Sequence, residues 1–203
     1  WLAAVLYPRD RLICRCCGVD ADVSLSWETY AGAMLLFNAL GLVVVYALQR
    51  LQGVLPLNPQ GFPAITPDSS FDTAASFATN TNWQGYAGEA TMSYLTQMVG
   101  LAVQNFVSAA TGMAVLVALI RGFRDAGART IGNFWVDLTR GTLYILLPLS
   151  IALALVQTSQ GVVQNFGAYR TVPLLQATSV TAPVKDADGH PVLDEKGDPK
   201  TET

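Results

Sequence analysis

The run Thr79-Asn80-Thr81-Asn82-Trp83-Gln84 sets hydroxyl, carboxamide and backbone carbonyl oxygens close together with no formal charge among them. Such oxygens can replace the water around a cation. Mg²⁺ or Ca²⁺ would call for carboxylates, so neutral oxygens suit a large, weakly hydrated ion such as potassium. The wider stretch Phe71–Gly88, FDTAASFATNTNWQGYAG, has no Lys or Arg. Nearby acids are Asp68, Asp72 and Glu89, and none has a basic neighbour in sequence. The residue types therefore point to coordination rather than acid–base or nucleophilic catalysis.

A loop of this kind needs a helix to deliver it and apolar spans to flank it. Non-helical backbone at membrane depth is tolerated only where protein buries it or it lines a cavity. Thr66-Pro67-Asp68-Ser69 predicts a helix start, with Pro in the first turn and a weak capping box from Ser69 to Asp72. Phe71–Ala78 supplies two helical turns with Phe71, Ala74, Ala75 and Ala78 on one face. Thr79–Asn82 then breaks the helix, since β-branched Thr and backbone-competing Asn disfavour its continuation. The helix C-terminus carries partial negative charge and favours a cation there. Gly85 and Gly88 loosen the exit. Upstream, Gln52–Ile65 holds three prolines and two glycines and reads as a rigid surface loop. The same composition suits an ordinary Asn/Thr-rich outer loop, and pattern alone leaves both readings open.

The rest of the chain favours a membrane. Of 203 residues, 51% are hydrophobic and only 13% charged, about half the usual charged share. The net charge of -3 favours no nucleic acid. Ala31–Leu48 has 18 residues with one strongly polar side chain, Asn38; as helix it measures roughly 27 Å, close to a hydrocarbon core. Met98–Ile120 is uncharged over 23 residues, and Gly141–Val156 has uncharged flanks that extend it and a mid-span Pro148 that predicts a kink. The expected division is 1–29, an N-terminal segment; 30–120, a first repeat with helices at 31–50 and 98–120 and a pore helix and filter at 66–88; 121–140, a connection; 141–160, a third span; and 161–203, a partly flexible outer loop. Arg9, Arg11 and Arg15, with Arg121, Arg124, Arg129 and Arg140, place residues 1–29 and 121–140 in the cytoplasm and 52–97 outside by the positive-inside rule. The chain starts at Trp1 without a signal peptide and is expected to be a fragment truncated at both ends.

LPLNPQGFPAITPDSSFDTAASFATNTNWQGYAGE (Leu55–Glu89) and SYLTQMVGLAVQNFVSAATGMAV (Ser93–Val115) resemble the KdpA family, the potassium-binding, channel-like subunits of the bacterial potassium-transporting P-type ATPase. The likeness covers roughly 11–173, and NPQGFP and TNTNWQ are its most specific parts. It implies an all-α integral membrane fold, the membrane helix–pore loop–membrane helix repeat of the potassium transporter superfamily, here holding the first repeat and the first helix of the second. It places the ion-binding role on Asn80, Thr81 and Asn82 chiefly, with Thr79 and Gln84 beside them. It further implies a multi-pass protein of the bacterial inner membrane with its filter facing the periplasm. Potassium is then the transported substrate, without an organic cofactor, and ATP is hydrolysed on a separate partner subunit in a complex with small accessory subunits and membrane lipid. The subunit is by itself no enzyme. The alternatives are a non-conducting membrane scaffold and the pore of a related potassium transporter not driven by ATP.

Other polar residues have simpler readings. Asn38, Gln104 and Asn105 within the spans suit interhelical hydrogen bonds better than a conduction path. Ser108–Gly112, SAATG, reads as a close helix contact. Cys14, Cys16 and Cys17 lack a zinc spacing, and His190 sits in an acidic Pro/Gly-rich tail. The charges of 121–140 suit either a topological anchor or a surface for the ATP-hydrolysing partner or anionic lipid.

Overall fold

The structure is a computed structural model and describes residues 12–125, 127, 129–162, 165–170, 182–183 and 201–202. Arg9 and Arg11, and in the tail Lys185, Asp186, Asp188, His190, Lys196 and Lys200, lie outside the described residues. The chain forms two units, Trp1–Ala168 and Tyr169–Thr203. In the second, Ala182–Pro183 (β1) pairs antiparallel with Thr201–Glu202 (β2), a two-residue ladder beyond the all-helical expectation.

The first unit is built on three apolar rods. α1 (Trp27–Leu51) is followed by the short α2 (Pro67–Ala78) and α3 (Gly88–Thr91). A π-helical turn, Thr96–Ala102, runs into α4 (Val103–Arg124). α5 (Phe134–Arg140), a second π segment (Gly141–Leu146) and α6 (Leu147–Ser159) make the third rod. Trp27–Leu51, Thr96–Arg124 and Phe134–Ser159 are each long and apolar enough to cross a membrane.

The helix ends follow from caps that apolar runs do not reveal. Ser26 accepts from Thr29 N–H (3.3 Å) and starts α1 four residues before the expected span. Asn133 accepts from Trp135 N–H (3.1 Å) and donates to the carbonyls of Asp20 and Val23. It thus starts the third rod at Phe134 rather than at Gly141. The segment expected as a connection, 121–140, is therefore helical at both ends. A kink is expected at Pro148. Proline lacks an amide hydrogen, and the turn before it, Gly141–Leu146, widens to π geometry. Gly141 also lets the third rod approach α4 closely, since a Cβ there would lie 3.1 Å from Met113 Cε and 3.9 Å from the Ala110 carbonyl. Ala110 is fully buried, so the SAATG segment does serve as a helix contact.

Two separate cores form at opposite ends of α1. One gathers Tyr30, Ala110, Ala114, Ala118, Phe134 and Leu138; the other gathers Val45, Ile65, Ala74, Phe77, Met92 and Leu101. The second is stapled by glutamines. Gln52, fully buried, donates to Pro63 O (2.6 Å) and Thr91 O (2.9 Å) and accepts from Ser93 N–H (3.1 Å). Gln49 donates to Ser70 O (3.1 Å), and Arg50 donates to Ile65 O. Those bonds make the proline-rich outer loop the rigid piece its composition suggests.

At the first core, two charges expected at the surface turn inward. Arg121 binds Asp137 through two N–H donors at 2.5 and 2.8 Å, and Asp137 also accepts from Tyr30 Oη (3.1 Å). Tyr30 Oη lies 2.8 Å from Ala114 O as well. Gly132 (φ +107°) admits the guanidinium, as a Cβ there would overlap Arg121 Nη1. Arg124 instead pairs with exposed Asp125 (2.7 Å) and holds that carboxyl below the usual range. Asp137→Ala is expected to strand the Arg121 guanidinium and the Tyr30 hydroxyl, costing about 2–3 kcal/mol after allowing for partial exposure of Arg121. Thermal unfolding of the full-length protein in detergent checks this, and Arg121→Met with Asp137→Leu should recover most of the loss.

Candidate ion-binding loop

α2 begins at Pro67, whose absent amide hydrogen costs nothing in a first turn. Thr66 is the N-cap and makes no side-chain bond, so the expected Ser69–Asp72 capping box is not what starts the helix. The buried face takes in Ala74 and Ala78 but not Phe71 of the expected shared face. Ser70, Thr73, Ala74, Phe77 and Ala78 pack inward, whereas Phe71 is exposed. Small side chains at Ser70 and Thr73 allow the close approach to α1 that Phe71 would block.

Where α2 stops, the chain folds back on the helix end. Thr79 N–H donates to Ala75 O (3.0 Å) and Asn80 N–H to Phe77 O (3.3 Å). Thr81 and Asn82 N–H both donate to Ser76 O (2.9 and 3.3 Å). Trp83 N–H donates to Ser76 Oγ (2.7 Å), whose own proton goes to Trp83 O (3.0 Å). Five consecutive amide protons thus point at the last turn of α2. Among the described residues no peptide bond is cis, and a trans peptide sets its C=O opposite the next N–H. The carbonyls of Thr79, Asn80, Thr81 and Asn82 therefore point away from α2. Asn80 (φ +58°) and Asn82 (φ +57°) are left-handed, a region Asn enters more readily than most residues. Side chains reinforce the shape: Asn82 Nδ2 donates to Asn80 Oδ1 (3.2 Å), and the Thr79 and Thr81 hydroxyls lie 3.0 Å apart.

Thr79–Asn82 come together on one exposed surface. Gln84, also exposed, follows the Ser76–Trp83 bracket. Gly85 leaves room for the Trp83 ring, which a Cβ would approach to 3.1 Å. The terminal carbonyls of α2 that were expected to face a cation are already bonded to the amides that follow. No titratable side chain lies between Thr79 and Gln84, and burial raises the pKa of the Tyr86 hydroxyl at the exit, keeping it neutral.

The loop tip reaches the middle of the rods. Asn80 Oδ1 accepts from Ser108 Oγ (3.3 Å) of α4. A cavity beside it is lined by Asn38, Leu42, Thr79, Asn80, Ser108 and Thr111. Asn38 lies eleven residues from Trp27 and thirteen from Leu51. The polar residues inside the spans divide. Gln104 is buried against Gly41, where a Cβ would clash with its amide, and its Nε2 has no hydrogen-bond partner, so the expected interhelical bond is not made through that nitrogen. Asn38 donates to Met34 O (2.9 Å) of its own helix and lines the cavity. Sequence pattern marks Ser108 only as part of a helix contact and Ser76 not at all, because their roles arise only when the chain returns to them in space.

The sequence has counterparts among known proteins. The family described as KdpA, potassium-transporting ATPase A subunit, matches residues 1–188. The chain belongs to the KdpA family. Curated KdpA relatives include a protein of Methylococcus capsulatus, 62% identical over 98% of this chain and 33% of its own length. Others are from Ralstonia pickettii, 60% identical over 97% of this chain and 33% of its own, and Dechloromonas aromatica, 59% identical over 100% and 35%. Each is named potassium-transporting ATPase potassium-binding subunit. The chain thus spans about a third of the length of the KdpA relatives it matches. With its three rods, it is an all-α membrane protein of that family. Ser76→Ala removes both bonds that bracket Trp83 and is expected to cost about 1–2 kcal/mol locally. Hydrogen exchange at the Thr81–Trp83 amides should accelerate about tenfold in the full-length protein, with little change in α4.

Proposed function

We propose that this chain forms part of the potassium-binding and translocating subunit of an ATP-driven, high-affinity potassium import complex, and that Thr79–Asn82, with Gln84 beside them, is one segment of its re-entrant selectivity filter. The observation that carries this reading is the direction of four successive backbone carbonyls, turned outward at mid-rod level by amide protons bonded behind them. The names of the relatives supply the ion. In this reading the backbone oxygens replace water around potassium, the Thr79 and Thr81 hydroxyls add lone pairs, and the Asn80 and Asn82 carboxamides mainly hold the loop's shape.

The oxygens of one short segment supply only part of an ion's surroundings. The remaining ligands then come from elsewhere in a longer polypeptide. Residues 52–97 face the periplasm and 121–140 the cytoplasm of a bacterial inner membrane, as the placement of arginines suggests. The work of ATP hydrolysis falls to a separate subunit, accompanied by small accessory subunits, and this subunit is not catalytic by itself.

In the full-length subunit within its complex, Asn82→Gly should keep potassium affinity within about twofold, because glycine adopts positive φ freely. Asn82→Val should weaken it by about tenfold or more, since a β-branched residue resists that conformation. The half-saturating potassium concentration for ATP hydrolysis measures both. Unchanged values for Asn82→Val and Gln84→Ala would favour a scaffold whose outer loop only packs. Potassium flux that continues without ATP would favour a transporter of another drive.

A further inference from the structure

We infer that Ser108, on α4, is a positioning residue that sets the shape of the Thr79–Asn82 segment, and with it potassium affinity and selectivity, without touching the ion; this rests on the filter reading above. The hydrogen bonds of the loop otherwise stay within the loop and α2, closing on Ala75, Ser76, Phe77 and Trp83. Ser108 supplies the link from the loop to a membrane-spanning rod. It is buried, and its Oγ lies 3.3 Å from Asn80 Oδ1. The same oxygen of Asn80 accepts from Asn82 Nδ2. One carboxamide oxygen therefore gathers donors from α4 and from the second left-handed residue, and ties both left-handed positions to the rod.

The link is adjustable. Ser108 Oγ also lies 3.1 Å from Asn105 O, one turn back on its own helix. A hydroxyl has a single proton, so these two acceptors compete for it. A small rotation of α4 that favours Asn105 withdraws the donor from Asn80 and frees a conformation that costs energy to hold. A rod that moves during a transport cycle would thereby loosen or tighten the ion's ligands through one proton.

The test uses the full-length subunit in its assembled complex, with ATP hydrolysis titrated by potassium and by rubidium. Ser108→Ala should raise half-saturating potassium about three- to tenfold and narrow the preference over rubidium, with a smaller effect on maximal rate. Ser108→Thr, which keeps the hydroxyl, should stay within about twofold on both. Combined with Asn80→Gly, Ser108→Ala should add little to the single variant, since both remove the same bond. The inference is overturned if Asn82→Val weakens potassium binding while Ser108→Ala leaves affinity and selectivity as they were. It is overturned equally if Ala and Thr at 108 act alike and follow thermal stability, which marks a packing role. If Asn82→Val itself leaves potassium affinity unchanged, the filter reading falls and this inference with it.

Discussion

Everything distinctive about the loop depends on the last turn of α2 acting as the acceptor for the residues that follow it. Ser76 is the hub: its carbonyl takes two amide protons and its hydroxyl holds both ends of the Trp83 peptide unit. A helix end normally leaves its last carbonyls unsatisfied. Here the chain satisfies them by turning back on itself. It does so at the expense of two left-handed asparagines, and the outward carbonyls follow from peptide planarity alone. No side chain needs to reach toward an ion for oxygens to be presented to one.

That arrangement requires a firm platform. The core around Val45, Phe77 and Met92 holds α2 against α1 and the start of the second rod, and the buried Gln52 closes the outer loop over it. The other core, around Tyr30 and Phe134, fixes the opposite ends of the rods. The cavity beside Asn80 and Ser108 adjoins the middle of α1 through Leu35, Asn38 and Leu42. Two packed ends and an open middle let a polar loop descend between apolar helices without displacing them.

Much of this was legible before any coordinates. Long uncharged runs announced three rods, and Thr79–Asn82 announced the end of α2, because both signals are local in sequence. Helix starts were less legible, since Ser26 and Asn133 act through single bonds at positions where composition changes little. Phe134–Arg140 looked like a charged connection because the partner of Asp137, Arg121, lies across a turn. Which face of α2 is buried was not legible: close packing selects the small Ser70 and Thr73 and leaves Phe71 exposed. The π segments were not legible, since Gly141 answers to Met113 and Ala110 on another rod. Ser76 and Ser108 look like any other serines in the chain until the fold brings the loop to them.

On the filter reading proposed above, turning five amide protons inward also bears on what the loop would repel. A chloride ion arriving at the open side of Thr79–Asn82 would meet the negative ends of four peptide dipoles, and the backbone protons that might have welcomed it are already taken. On that reading, discrimination by the sign of charge would come from a stretch of four residues with no charged side chain. Whatever the rest of a longer polypeptide adds around the ion then has a narrower task, the choice of one cation from among others.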